Sequence, residues 1–245
     1  MKVFVINLES SHDRRVFMLK QLDTLKLDYE FFPAVDGRRL SQQELTKLCD
    51  FKWMMRYEGR ELSRGEIGCA LSHIRVYQRI IKENIPYALI LEDDAWLTPA
   101  IVPVLQALEK MITPTEFNVY SLSTGDGRTS RLVVSPYFLK KSSTTFCTHA
   151  YVLTRQAALR MVDVMFPVAH VSDPWGWLTK HNIIKLYTVF PQLATQNNII
   201  FKSDIWSDGG RPQNSPKKMI EVVRHKGYRA YWKLFDVVLP LNWRK

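Results

Sequence analysis

Cysteine is scarce in this chain and poorly spaced for chemistry. Cys49, Cys69 and Cys147 form an odd, widely separated set without metal-ligand spacing, which argues for reduced thiols and a cytosolic address. No uninterrupted apolar run is long enough to cross a bilayer, so no membrane-spanning helix is expected. The apolar start "VFVINL" is short and gives way to Glu9 with no small-residue cleavage site behind it, unlike a signal peptide. There is no internal repeat and no low-complexity tract. Acids are also in deficit: 24 Asp and Glu face 34 Lys and Arg, a formal charge of +10, which implies polyanionic company such as nucleic acid, an anionic membrane surface or a phosphorylated small molecule. The imbalance concentrates at the end of the chain, where residues 216–245 carry only two acids, Glu221 and Asp236.

What is present is the composition of an ordinary globular protein, 245 residues long, enough for one α/β domain with an appended segment. Lys2 to Leu8 reads as a first strand. Ser11 to Leu25 follows as a helix on the spacing of Val16, Leu19, Leu22 and Leu25. A second strand ends at Pro33, Asp36-Gly37 forms a turn, and a short helix starts at Ser41. Phe51 to Glu61 has no clean period and reads as a loop. Ser63 and Glu66 make a capping-box pattern that opens a long helix from about Arg64 to Asn84. On that helix Ile67, Leu71 and Ile74 form the core stripe, while Glu66, Cys69 and His73 share another face. Beyond it, Ile101 to Met111 and Gln156 to Met165 read as helices, and Phe117 to Leu122 and Thr148 to Leu153 as strands. "HVSDPWGWLTKH" reads as irregular, and "KLYTVFPQLATQNN" as a last strand and loop.

The most informative stretch is "YALILEDDAWL". Ala88 to Leu91 is too short for a helix and reads as a buried strand, which delivers Glu92, Asp93 and Asp94 to its C-terminal end. Carboxylates packed that closely repel unless a cation or shared protons compensate. Ligands gather at strand C-terminal ends in open α/β sheets, and Mg²⁺ or Mn²⁺ takes carboxylate oxygens together with water and substrate phosphates. A solvated turn is the plain alternative.

Taken in order, "VFVINLESSHDRR", "LSRGEIGCALSHI", "YALILEDDAWL", "THAYVLTRQAA" and "FPQLATQ" resemble glycosyltransferase family 25, the bacterial lipo-oligosaccharide galactosyltransferases, over roughly residues 2–200. The resemblance implies an α/β, GT-A-like, single Rossmann-type domain with a mixed central sheet, spanning about 1–215, followed by a basic helical segment over 216–245. It further implies a UDP-sugar donor, Mn²⁺ or Mg²⁺, and inverting transfer of a hexose, galactose by resemblance, to a terminal sugar of lipo-oligosaccharide. The cytoplasmic face of the inner membrane, an anionic surface, would be the place of work, with no nucleic acid involved.

Carried across by position, Asp93 and Asp94 fall on the metal side, and Asn7, Arg14, Arg15, Glu66, His73, Glu92 and Asp93 on the donor side. Ser72 also matches the pattern, and His149 and Gln196 are lesser candidates. Asp173 in "SDPWGW" is the candidate base, with Trp175 and Trp177 beside it to stack on a sugar face. For Glu66 the capping box alone is a sufficient explanation, and Asp-Pro is also a common turn. Two other classes compete, a basic nucleic-acid-binding protein and a metal-dependent phosphoesterase. The first leaves the central acids unexplained, and the second lacks a second ordered set of metal ligands.

The tail has its own expectation. Helical spacing interleaves Val222, Val223, Ala230, Leu234 and Val237 with Lys218, Arg224, Lys226, Arg229 and Lys233, a pattern suited to lying on an anionic bilayer at about 1 kcal/mol per basic residue. The full-length chain is expected to sediment with anionic liposomes at low salt and to release as salt rises, while a chain ending near Ser215 stays in the supernatant. Equal sedimentation of both would remove the tail as an anchor.

Overall fold

The computed structural model describes residues 1–123, 131–134, 137–197 and 200–201. The basic tail and the boundary expected near 215 lie outside them, as does most of the polar loop "STGDGRTS". In chain order the elements begin with β1 (Lys2–Asn7), α1 (His12–Leu25), β2 (Glu30–Pro33), α2 (Gln42–Leu48), α3 (Phe51–Tyr57), α4 (Arg64–Lys82), β3 (Tyr87–Glu92) and β4 (Ala95–Leu97). They continue with α5 (Ile101–Met111), β5 (Asn118–Ser121), β6 (Arg131–Val134), β7 (Tyr137–Ser142), β8 (Ala150–Thr154), α6 (Arg155–Met165), α7 (Trp175–Lys180), β9 (Lys185–Phe190) and β10 (Ala194–Gln196).

Eight strands form one mixed sheet in the order β2-β1-β3-β8-β5-β9-β7-β6, and β10 pairs with β4 in a separate ribbon. β1 runs parallel to both β2 and β3, whereas β8 is antiparallel to β3. Alternation along the strands divides the core in two. Phe4, Ile6, Ala88 and Ile90 face α4 and α6, while Val3, Val5, Leu89 and Leu91 face α1 and α5. Both faces of the sheet are therefore covered, which is why "ALIL" is apolar throughout. From β1 the chain moves outward through α1 to β2, and then returns to β3 on the other side of β1. That reversal opens a crevice at the C-terminal ends of β1 and β3, with Ile6 registered against Glu92.

Several sequence readings change. In α1 the buried stripe is Arg14, Met18 and Leu22, and Val16 is exposed, because the helix turns its arginine inward to meet acids the local pattern cannot show. Phe51–Tyr57 is a helix, α3, whose first turn is held by Asp50 accepting from the Trp53 amide at 3.0 Å. Its aromatic residues stack on one another, Trp53 on Tyr57 at 4.8 Å, which hides an apolar period. "WGWLTK" is the short helix α7, and the β6–β7 hairpin was not anticipated. The capping box of Ser63 and Glu66 does open α4.

One close approach fixes the wall beside the crevice. The Val35–Gly37 turn crosses α4 backbone to backbone, so a Cβ on Gly68 would stand 2.5 Å from the Val35 carbonyl oxygen, and one on Gly37 1.8 Å from that of Arg64. Ser72 bonds the same two segments, its Oγ accepting from the Val35 amide at 2.8 Å and donating to the Gly68 carbonyl at 2.6 Å. Gly68→Ala should therefore destabilise the protein by about 1–3 kcal/mol, the usual cost of overpacking, despite the gain in helix propensity. Gly176→Ala, whose Cβ meets only the Thr144 side chain at 3.2 Å, should be close to neutral. Urea titration of both variants checks this, and equal effects would remove the glycine crossing as a constraint.

Candidate active site

β3 ends at Glu92, and the next two residues turn into β4, so three carboxylates leave the sheet at the crevice. Each meets a different environment. Asp93 is fully engaged: Asn7 Nδ2, at the end of β1, donates to Oδ2 at 2.8 Å and Arg14 Nη1 donates to Oδ1 at 2.9 Å. Asp94 receives Gln196 Nε2 on Oδ2 at 3.0 Å and lies 3.4 Å from Arg14 Nη1, while its Oδ1 is buried with no partner among the described residues. Glu92 Oε1 accepts from Thr148 Oγ1 and faces His73 Nε2 at 3.2 Å. Behind it the His73 Nδ1 is 2.7 Å from the Tyr151 hydroxyl, which is itself 2.7 Å from that of Tyr77.

The protonation of the three acids diverges accordingly. Burial pushes Glu92 up, but His73, Thr148 and His149 outweigh it and hold the carboxyl below its ordinary value. Asp93 is raised, by burial first, in spite of Arg14 and Asn7. Asp94 is pushed up to about 6 by burial and then by the charge of Glu92. Asp94 is therefore the least compensated of the three, with an oxygen that has no partner among the described residues. That is the donor a hard divalent cation would take, with Asp93 beside it and the remaining positions left to water and phosphate oxygens.

Arg14, His73 and the three carboxylates line an open cleft. Its other wall is the Ala34–Arg38 turn, and Cys69, Ser72, His73 and Gln196 complete the lining. Asp36 is locked by Arg38, whose Nε donates at 2.8 Å. The turn signal Asp36-Gly37 was visible in the sequence, but its position across α4 depends on the glycine crossing and was not. Thr148 was also missed, since a threonine in front of a strand carries no signal of its own.

The structure gathers Asn7, Arg14, Ser72, His73, Glu92, Asp93, Asp94 and Gln196 and leaves other candidates apart. Arg15 is exposed, with its guanidinium 3.9 Å from the Phe31 ring centroid and away from the cleft. Glu66 is held by the Ser63 amide at 2.8 Å and by both Nη atoms of Arg60, at 2.7 and 2.5 Å. Burial raises its pKa, but Arg60 and Ser63 bring it below the ordinary value. Its work is capping. His149 Nε2 is 3.3 Å from the Ala194 carbonyl oxygen and its Nδ1 is buried without a partner among the described residues.

Asp173 accepts from the Cys147 amide at 3.0 Å and is raised, chiefly by burial. It joins the acids through its neighbour: Ser172 Oγ is 3.2 Å from Thr148 Oγ1, which donates to Glu92. The two tryptophans do not offer sugar platforms. Trp175 is fully buried, with its indole N–H donating to the Cys147 carbonyl at 3.1 Å, and Trp177 is flanked by His170 and His181 at 4.7 and 4.5 Å. Burial claims the Trp175 ring, and the half-buried Trp177 ring is taken up by its aromatic and imidazole neighbours. A second set of metal-ligating groups, not apparent in the sequence, is present: Cys69, His73 and Glu92 bring one donor atom each within 4.8 Å of one another.

A doubly covered mixed sheet, with a carboxylate triplet and an arginine at the crevice between parallel strands, is the arrangement of a GT-A-like, Rossmann-type glycosyltransferase domain. The chain belongs to glycosyltransferase family 25: the family model described as "Glycosyltransferase family 25 (LPS biosynthesis protein)" matches residues 1–174. A glycosyltransferase 25 family member of Anopheles gambiae is 29% identical over 212 residues, covering 78% of this chain and 36% of that protein. Procollagen galactosyltransferase 1-A of Xenopus laevis is 39% identical over 98 residues, 38% of this chain and 16% of that protein. Procollagen galactosyltransferase 2 of Homo sapiens is 28% identical over 170 residues, 66% of this chain and 27% of that protein. The chain thus spans between 16% and 36% of the length of these curated relatives.

The charge imbalance at Asp94 has a sign that can be measured. Its folded pKa of about 6 lies above the ordinary 3.8, so between these values the folded state holds a proton that the unfolded chain has released, and stability falls as pH rises. Above pH 6 the full cost applies, at most about 3 kcal/mol for roughly two pH units. With chelator present, Asp94→Asn should raise the thermal midpoint at pH 7.5 and change it little at pH 4. A difference that does not depend on pH would show that Asp94 carries no such burden.

Proposed function

We propose that the chain transfers galactose, with inversion, from UDP-galactose to the terminal sugar of a lipo-oligosaccharide at the cytoplasmic face of the inner membrane. The observation that carries this reading is the acid triplet at the cleft, in which Asp93 has both oxygens hydrogen-bonded by Arg14 and Asn7 while Asp94 keeps an oxygen without a partner among the described residues. The family description names lipopolysaccharide biosynthesis without an acceptor, and the names of the vertebrate relatives support galactose. Asp94, with Asp93, would hold Mn²⁺ or Mg²⁺, which supplies charge stabilisation to a departing diphosphate. Arg14, already buried between the two aspartates, adds a fixed positive charge at the same end of the cleft.

Asp173 is proposed as the base that takes the acceptor hydroxyl proton. Burial raises its pKa, which strengthens it as a proton acceptor. The Cys147 amide fixes one of its oxygens.

Turnover with a panel of UDP-sugars and a lipo-oligosaccharide acceptor tests this. UDP-galactose should be used, activity should vanish with chelator and return with Mn²⁺, and Asp94→Asn should lower kcat/KM by about 100-fold or more, the scale of losing one preorganised electrostatic contact. Asp173→Asn should lower kcat with donor binding unchanged. Full activity after exhaustive metal removal would overturn the metal-dependent mechanism, and use of a procollagen peptide in place of lipo-oligosaccharide would overturn the acceptor.

A further inference from the structure

Cys69 and His73 stand one helical turn apart on α4 and so share a face, and that face meets the end of β3 at Glu92. One donor atom from each lies within 4.8 Å of the others, and all three residues line the cleft. The Cys69 thiol now donates to Ser172 Oγ at 3.4 Å, and His73 Nε2 faces Glu92 Oε1 at 3.2 Å. From these positions we infer that Cys69, His73 and Glu92 form a site for a thiophilic divalent cation of the zinc class, distinct from the oxygen site at Asp94.

Ligand chemistry separates the two sites. A thiolate, an imidazole and a carboxylate match zinc, with bonds of about 2.0–2.3 Å in tetrahedral geometry, which places donors about 3.5 Å apart. The trio therefore has to contract by no more than about 1.3 Å in any pair. Mg²⁺ and Mn²⁺ prefer oxygen donors and are not selected by sulfur. Charge also matches: on binding, the Cys69 proton passes to water, and the thiolate and carboxylate together balance the two positive charges. The tyrosine pair behind the imidazole supplies the outer support that metal-bound histidines need, since Tyr151 engages Nδ1 and leaves Nε2 aimed at the cleft. Because three protein donors leave one tetrahedral position open, an ion held here competes with whatever else occupies the cleft floor.

Other cysteines are placed differently. Cys49 is buried where it pairs with Val168, and Cys147 is exposed.

Titration of Co²⁺ into the metal-stripped full-length chain tests the site without reference to sugar transfer, so its failure leaves the proposed activity standing, and the reverse. A thiolate-to-cobalt charge-transfer band in the near ultraviolet should appear, saturate at one equivalent of thiolate-bound metal and be displaced by Zn²⁺, whatever Co²⁺ the oxygen site also takes up. Cys69→Ser should abolish the band, His73→Gln should weaken binding at least 10-fold, and Cys147→Ser and Asp94→Asn should leave the band in place. If Cys69→Ser fails to fold by circular dichroism, Cys69→Ala and Glu92→Gln take its place. No band in the native chain, a band that survives Cys69→Ser or Cys69→Ala, or one lost in Cys147→Ser overturns the inference.

Discussion

The fold is organised around a charge problem at the end of β3. Glu92, Asp93 and Asp94 leave the sheet together at the crevice, and Asp93 and Asp94 are buried. Isolated carboxylates in that setting cost several kcal/mol each, so the surrounding elements have to supply compensation. Arg14 comes from α1, Asn7 from β1, Gln196 from β10, and Thr148 and His73 from the approach to β8 and from α4. Five separate segments are thus pinned to one strand end. The compensation outweighs burial for Glu92 but not for Asp93 or Asp94, and Asp94 also keeps an oxygen without a partner among the described residues.

Much of this was legible before any coordinates. The apolar run of β3 and the acids after it mark a central strand and a site, because a strand covered on both faces must be apolar throughout. Capping at Ser63 and helical spacing along α4 place His73 and Cys69 on a face apart from the core stripe. What was not legible depends on long-range partners. Arg14 and Arg15 are chemically identical in sequence, and only the inward turn of α1 toward Asp93 separates the buried one from the exposed one stacked on Phe31. Trp175 and Trp177 invite a sugar-stacking reading, yet α7 buries the first and leaves the second half-buried between His170 and His181. Glu66 looks like a ligand and is consumed by its own helix start and by Arg60.

The cleft wall formed by the Ala34–Arg38 turn shows how packing, more than polar chemistry, sets a site's shape. Two glycines permit the turn to lie on α4, and Ser72 bonds both segments in the helix middle. A serine there would ordinarily weaken the helix. Here its hydroxyl satisfies a buried turn amide that has no strand partner, which a larger or apolar side chain could not do.

The contacts that close the site span large distances along the chain: 79 residues from Arg14 to Asp93, 86 from Asn7 to Asp93 and 102 from Asp94 to Gln196. Loop closure of that length is costly and slow relative to local helix formation. During synthesis α1 and α4 can form long before the Gln196 arm has left the ribosome, so a nascent chain that has already paired β1 with β3 still holds Asp94 without its last donor. The contact that engages the second aspartate is thus among those that wait longest for their partner to be synthesised.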